Sequence, residues 1–126
     1  MKQIIHTTSA PAPIGPYSQA VKAGGFLFCS GMIAIDPVTG ALKSGEVAQE
    51  TEQIMQNIGA LLKAAGLEYS DIVKTSIFLK DMGQFATVND VYGRYFTSDF
   101  PARETVEVAR LPKDVNVEIS VIALLK

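Results

Sequence analysis

FPARETVEVARLPKDVNVEISVIA, residues 100–123, carries the clearest strand pattern in the chain. Its second half alternates strictly, with Val115, Val117, Ile119 and Val121 on one side and Asn116, Glu118 and Ser120 on the other, which is the two-residue period of a strand with one covered face. The run after Arg103 is rich in β-formers and reads as another strand. Leu111-Pro112-Lys113-Asp114 reads as the connection, because Pro112 donates no ladder hydrogen bond and its neighbours favour a turn. Folded as a hairpin with Ala109 opposite Asp114, the two runs predict Thr105 facing Glu118 and Arg103 diagonal to it, about 7–8 Å away. A guanidinium and a carboxylate then share one patch of sheet, either as a surface ion pair worth about 0–1 kcal/mol or as two ends of a ligand site.

Working outward, the 126 residues predict one compact domain spanning 1–126, long enough to bury a core. Hydrophobic residues at 48% against 19% charged describe a folded chain with a rather apolar surface, so self-association is expected. The net charge of −2 offers no basic footprint, which argues against nucleic acid as a partner. The start, MKQIIHTTSA, has no signal-peptide core and no window is apolar enough for a membrane span, so a cytoplasmic protein is expected. Cys29 is the one cysteine and His6 the one histidine. That leaves no internal disulfide, no thiolate metal site and no triad.

In chain order, residues 2–6 read as a short strand and Ser9-Ala10-Pro11-Ala12-Pro13 as a loop. A second strand leads from Tyr17 to Gly24-Gly25, and a third runs from Phe26 to Ile35, closed by the turn Asp36-Pro37-Val38-Thr39-Gly40. Gly31 interrupts that strand, marking a bulge or a close approach to the backbone, and Ser30 with Gly31 is expected to offer free backbone donors to a small anion. Val47, Thr51, Ile54, Ile58, Leu61, Leu62 and Ala65 share one helical face between Gly45 and Gly66, with Ser44 as the expected N-cap. Alternation returns over 72–79, so the strands flanking this helix are expected to be parallel and the class to be mixed α and β.

A second helix is predicted from Gln84 to about Phe96, with Asp81 and Gln84 at capping-box spacing. Its stripe of Phe85, Val88, Tyr92, Tyr95 and Phe96 reads as core. Asn89 lies on that same face and needs a partner once covered, either a loop carbonyl or a ligand. Tyr17, stiffened by Pro16, is an aromatic lid or a ligand contact.

These residues, taken together, resemble the RidA (YjgF) family of enamine/imine deaminases. The matching stretches are Ile14-Gly15-Pro16-Tyr17-Ser18-Gln19-Ala20, Ser30-Gly31, Asp36-Pro37 with Thr39-Gly40, and Phe85-Ala86-Thr87-Val88-Asn89-Asp90-Val91-Tyr92. Pro101-Ala102-Arg103, the block from Val106 to Asp114, and Val117-Glu118-Ile119 complete a match over essentially the whole chain. The resemblance implies an α+β, chorismate-mutase-like fold with a mixed sheet and two helices on one face, assembled as a homotrimer with clefts between subunits. It implies hydrolysis of small 2-enamine and 2-imine acids, 2-aminoacrylate and 2-iminobutanoate among them, to 2-keto acids and ammonia with no cofactor and no metal. In that role it would spare pyridoxal-phosphate enzymes from damage. The implied catalytic residues are Arg103 for the substrate carboxylate and Glu118 for the water. Tyr17, Ser30, Gly31 and Asn89 line the substrate pocket, and Thr105, two residues from Arg103 on one strand face, joins them. Glu104 should point the other way. Met32 and Ala34 stand where the family often has Gln and Pro.

Such a reaction needs a grip on the carboxylate and delivery of water to the adjacent C=N carbon. Arginine's planar fork suits the first, at about 1.5–3 kcal/mol per charge-assisted bond, and a carboxylate on the same face suits the second. The competing reading is a non-catalytic carboxylate-binding or chaperone-like module using the same cleft.

Overall fold

The computed structural model describes all 126 residues. Strands β1 (Gln3–Ile5), β2 (Ala20–Ala23) and β3 (Phe26–Cys29) form an antiparallel meander. The β2–β3 turn works because Gly24 and Gly25 take φ of 57° and 85°, left-handed values that a two-residue hairpin requires and that glycine adopts without penalty. Helix α1 (Val47–Ala64) follows, then β4 (Ile72–Leu79), helix α2 (Phe85–Gly93), β5 (Ala102–Glu107) and β6 (Val117–Leu124). The six strands lie in the order β1-β2-β3-β6-β4-β5, and only the β4–β5 pair is parallel.

That order overturns the expected hairpin. β5 and β6 are not neighbours: β4 lies between them, with Thr75 level with Arg103 and Phe78 level with Glu118. Residues 108–116 are long enough to step across an intervening strand, a gap of about 9.6 Å. They do so through a 3-10 turn at Pro112–Asp114 in which Lys113 and Asp114 take φ of 57° and 55°. Pairing on both edges satisfies the backbone of the wedged strand.

Both helices cover one face of the sheet, α1 against β6 and α2 against α1. The alternation read from β6 appears as drawn, with Val117, Ile119, Val121 and Ala123 at most 2% exposed beneath the helices. Val117, Ile119 and Val121 each contribute about 1.5–3 kcal/mol by burial. β3 and β4 run parallel, as expected, because each is antiparallel to the β6 that separates them. Glu50 of α1, 1% exposed, accepts the Asn116 backbone N–H at 3.0 Å and the Asn116 amide as well, fastening the start of β6 to the helix.

Three boundaries differ from the sequence reading. β3 ends at Cys29, and Met32 rejoins the sheet by a lone bridge to Ile119. The cap of α1 is Glu46, making no side-chain bond, so Ser44 is not the cap, whereas Gly66 at φ 77° does end the helix. α2 stops at Gly93, with Arg94, Tyr95 and Phe96 continuing only in tighter turns. Asp81 still caps its approach, accepting the Gly83 N–H at 2.8 Å.

Candidate functional site

The strand order separates the two residues expected to meet. Arg103 shares its rung with Thr75, which is fully buried on the helix-covered face. Glu118 shares its rung with Phe78, on the opposite, open face. Their backbones stand about 14 Å apart, from two strand spacings and three residues. One ligand therefore cannot touch both within one chain, and the candidate site is two half-sites.

The first half lies on the edge strand β5 beneath α2. Arg103 Nη1 donates to Asn89 Oδ1 at 2.6 Å. Asn89 thus meets the arginine in place of the loop carbonyl, orienting it, and lines the recess beside it. The guanidinium carbon sits 5.6 Å from the Phe85 ring centre and 5.3 Å from that of Tyr92, within range of a cation–π contact. The aromatic stripe read as core is therefore partly a bracket for Arg103. Asn89, Tyr92, Gly93, Phe100, Pro101 and Arg103 line a recess of about 450 Å³. The ion pairs join Lys74 to Glu104, Arg94 to Asp90, Arg110 to Asp114, and Lys126 to Glu68 and Asp71, so Arg103 has no acidic partner.

Thr105 shares the face of Arg103, as expected, and Glu104 points away to Ser76 and Lys74. The Thr105 hydroxyl is buried without a hydrogen-bond partner and lines neither recess.

The second half gathers residues distant in sequence. Tyr17, Ser30, Gly31 and Glu118 line a recess of about 330 Å³ with Ile14 and Ile33 among its apolar walls. The Glu118 carboxyl lies directly on Gly31: a Cβ there would stand 2.8 Å from Cδ, so a side chain at this position would push the carboxyl out of its present place. Glu118 has no hydrogen-bond partner in the chain and no cation beside it, and burial raises its pKa above the ordinary carboxylate value. Desolvation disfavours the charged form, and nothing in the chain compensates.

The expectation that both Ser30 and Gly31 offer free backbone donors holds only for Gly31. The Ser30 N–H donates to the Gln19 carbonyl at 3.0 Å and its hydroxyl to the Ser18 carbonyl at 2.6 Å, while the Gly31 N–H finds no acceptor. Tyr17, 47% exposed, is a recess wall and no lid on the core; its hydroxyl accepts the Ile14 N–H at 3.2 Å. Sequence reasoning missed Gln19, 2% exposed, whose amide donates to the carbonyls of Thr7, Ala10 and Pro11 and so holds the proline loop as the recess rim.

Cys29 is buried with its thiol pushed up to about 12 by desolvation, as an inert core residue should be. No cluster of three or more His, Cys, Asp or Glu side chains has metal-binding geometry, and no helix is long and apolar enough to cross a membrane.

The fold is that of a wider group of proteins. Residues 7–125 match the family model described as Endoribonuclease L-PSP. A RutC family protein of Pyrococcus horikoshii is 54% identical over 123 residues, covering 98% of each chain. The 2-iminobutanoate/2-iminopropanoate deaminase of Bos taurus is 49% identical over 124 residues, which is 98% of this chain and 90% of that one. The crystal structure of E. coli TdcF with bound serine matches with a TM-score of 0.93 at 42% identity, covering 98% of this chain and 99% of that one. The chain belongs to the RidA family, whose named members include reactive-intermediate deaminases.

Proposed function

We propose that the chain hydrolyses small 2-imino acids, with their 2-enamine tautomers, to 2-keto acids and ammonia, and that two copies build each active site. The observation that carries this reading is Arg103: a guanidinium fixed by Asn89 and two rings, without an acidic partner, at the edge of an open recess. Such a group accepts a carboxylate, bidentately where its free donors allow. Serine bound to the similar TdcF is a small molecule of that kind.

The imine carbon next to the carboxylate is already electrophilic. Water adds to it, the resulting carbinolamine loses ammonia, and the carbonyl remains: R–C(=NH)–COO⁻ + H₂O gives R–C(=O)–COO⁻ + NH₃. Glu118, as carboxylate, would orient the water, take its proton on attack and return it to the departing nitrogen. Positioning supplies the acceleration and no redox step is involved. The deaminase name of the bovine relative supports the same reaction.

A homotrimer supplies the missing geometry. The open face exposes Ile4, Phe26, Phe28, Val106 and Leu124, each at least 37% accessible, an apolar surface that a neighbouring copy would cover. Because the half-sites lie on opposite faces, the contact that unites them is head-to-tail, and such a contact closes as a ring of three where each copy is turned by a third of a circle. Glu118, short of a cation in one chain, would face Arg103 and its ligand from the next.

The test couples purified protein to a threonine dehydratase, which releases 2-iminobutanoate, and follows 2-oxobutanoate in a scavenger-free buffer. Faster keto-acid appearance than in the dehydratase-only control is expected. Binding of 2-oxobutanoate with no acceleration would instead establish the binding module.

A further inference from the structure

We infer that Phe85 and Tyr92 are positioning residues for the carboxylate grip, their rings fixing the plane in which the Arg103 guanidinium meets its ligand. The inference rests on the proposed role of Arg103 and concerns what makes that role efficient.

Residues 85, 89 and 92 fall on one face of α2, spaced four and three apart. That face therefore presents ring, amide and ring to the arginine. The guanidinium carbon is 5.6 Å from one ring centre and 5.3 Å from the other, and Nη1 is taken by Asn89 at 2.6 Å. Nε and Nη2 remain without partners in the chain and form the edge that a carboxylate can engage. Tyr92 is itself held: it is 4% exposed, and its hydroxyl donates to Thr75 Oγ1 at 2.9 Å. Thr75 is the strand neighbour level with Arg103, so ring and arginine are both referred to the same rung of β4. The Phe96 ring backs Tyr92 at 4.9 Å.

An unrestrained arginine on an edge strand would sample many rotamers, and each binding event would have to order it. Two negative ring faces hold the cation without donating to it or competing for its hydrogens. A carboxylate bracket would fix the arginine as well but would also neutralise it. The contribution falls on binding, because the bracket sits at the acid end of the ligand and away from the carbon attacked by water.

The decisive experiment changes ring electrostatics at constant shape. Phe85 is replaced by its 4-fluoro, 3,4-difluoro and 3,4,5-trifluoro analogues. The Kd for 2-oxobutanoate, kcat in the coupled assay and Tm are measured for each, with Phe85→Leu and Phe85→Trp alongside. Kd is expected to climb stepwise to roughly 5-fold at the trifluoro ring, with kcat within about twofold and Tm unchanged, and Trp should restore or improve on the native value. A Kd flat across the fluorine series overturns the inference, whatever Phe85→Leu does to folding. Arg103→Ala run in parallel separates the two claims. If it keeps native turnover, the proposed function fails; if it is inactive while the fluorine series is flat, the bracket alone fails.

Discussion

The two half-sites are built in opposite ways. Arg103 and its holders Phe85, Asn89 and Tyr92 come from one contiguous strand–helix–strand segment, β4 to β5, and the cation is restrained on several sides. Glu118 comes from β6 and meets Tyr17, Ser30 and Gly31 from the far end of the chain, with no partner for its charge. One half holds its cation rigidly and leaves it without an acidic partner, and the other holds a carboxyl in a desolvated recess with no cation beside it. The difference is one of construction: Arg103 is restrained by neighbours within its own segment, whereas Glu118 is desolvated on the opposite face with no cation near it.

Breaking the clamp should have the largest effect. Arg103→Ala removes two charge-assisted contacts of about 1.5–3 kcal/mol each and should lower kcat/KM by roughly 10²- to 10⁴-fold. Tm should fall only modestly, since the side chain loses the Asn89 hydrogen bond and two ring contacts at a half-buried edge but no ion pair. Native turnover in this variant would remove the clamp from the mechanism.

Neutralising the base comes next. Glu118→Gln should lower kcat by about 10- to 100-fold while weakening 2-oxobutanoate binding much less. Equal losses in rate and binding would recast Glu118 as a ligand-holding or assembly residue. The pH profile sharpens the point. The ionised form accepts the proton, so the rate falls as pH drops through the Glu118 pKa. Burial raises that pKa in the single chain and a facing Arg103 would oppose the rise, so the limb should move to higher pH in the Arg103→Ala variant wherever residual activity allows it to be read. In the Gln variant the limb should vanish, and its persistence would assign it to another group.

The smallest effect is expected at Thr105, which has the face of Arg103 but no contact with either recess. Thr105→Val removes a buried hydroxyl with no partner, so stability should be unchanged or rise by up to about 1 kcal/mol by denaturant titration. A several-fold rise in KM at unchanged stability would show that the hydroxyl meets the ligand in the assembled protein.

Local features were legible in the sequence, and the pairings between them were not. The alternation of 115–121, the Gly24-Gly25 turn and the α1 stripe each encode their element within a few residues, and the structure reproduces them. The β5–β6 hairpin failed because neighbouring runs joined by a turn look the same in sequence whether or not a third strand enters between them. Only non-local pairing, with Thr75 and Phe78 of β4 taking the positions beside Arg103 and Glu118, decides it. Candidate residues were identifiable for a related reason. An arginine, an asparagine on an apolar helix face and a glycine interrupting a strand are each costly where they stand. Their actual partners, Asn89 for Arg103 and Glu118 for Gly31, lie 14 and 87 residues away in sequence and needed coordinates.

The claim that each site takes Arg103 from one copy and Glu118 from another is tested most directly by mixing two inactive variants. Arg103→Ala and Glu118→Ala are co-expressed in equal amounts, and the mixed assemblies are assayed with the dehydratase. Each variant by itself should be nearly inactive. The mixture should recover about a quarter of the native rate, because a cleft works when an intact arginine and an intact glutamate meet across a head-to-tail contact, each with an even chance. Mixed assemblies that form and yet stay as inactive as the separate variants would contradict the shared site.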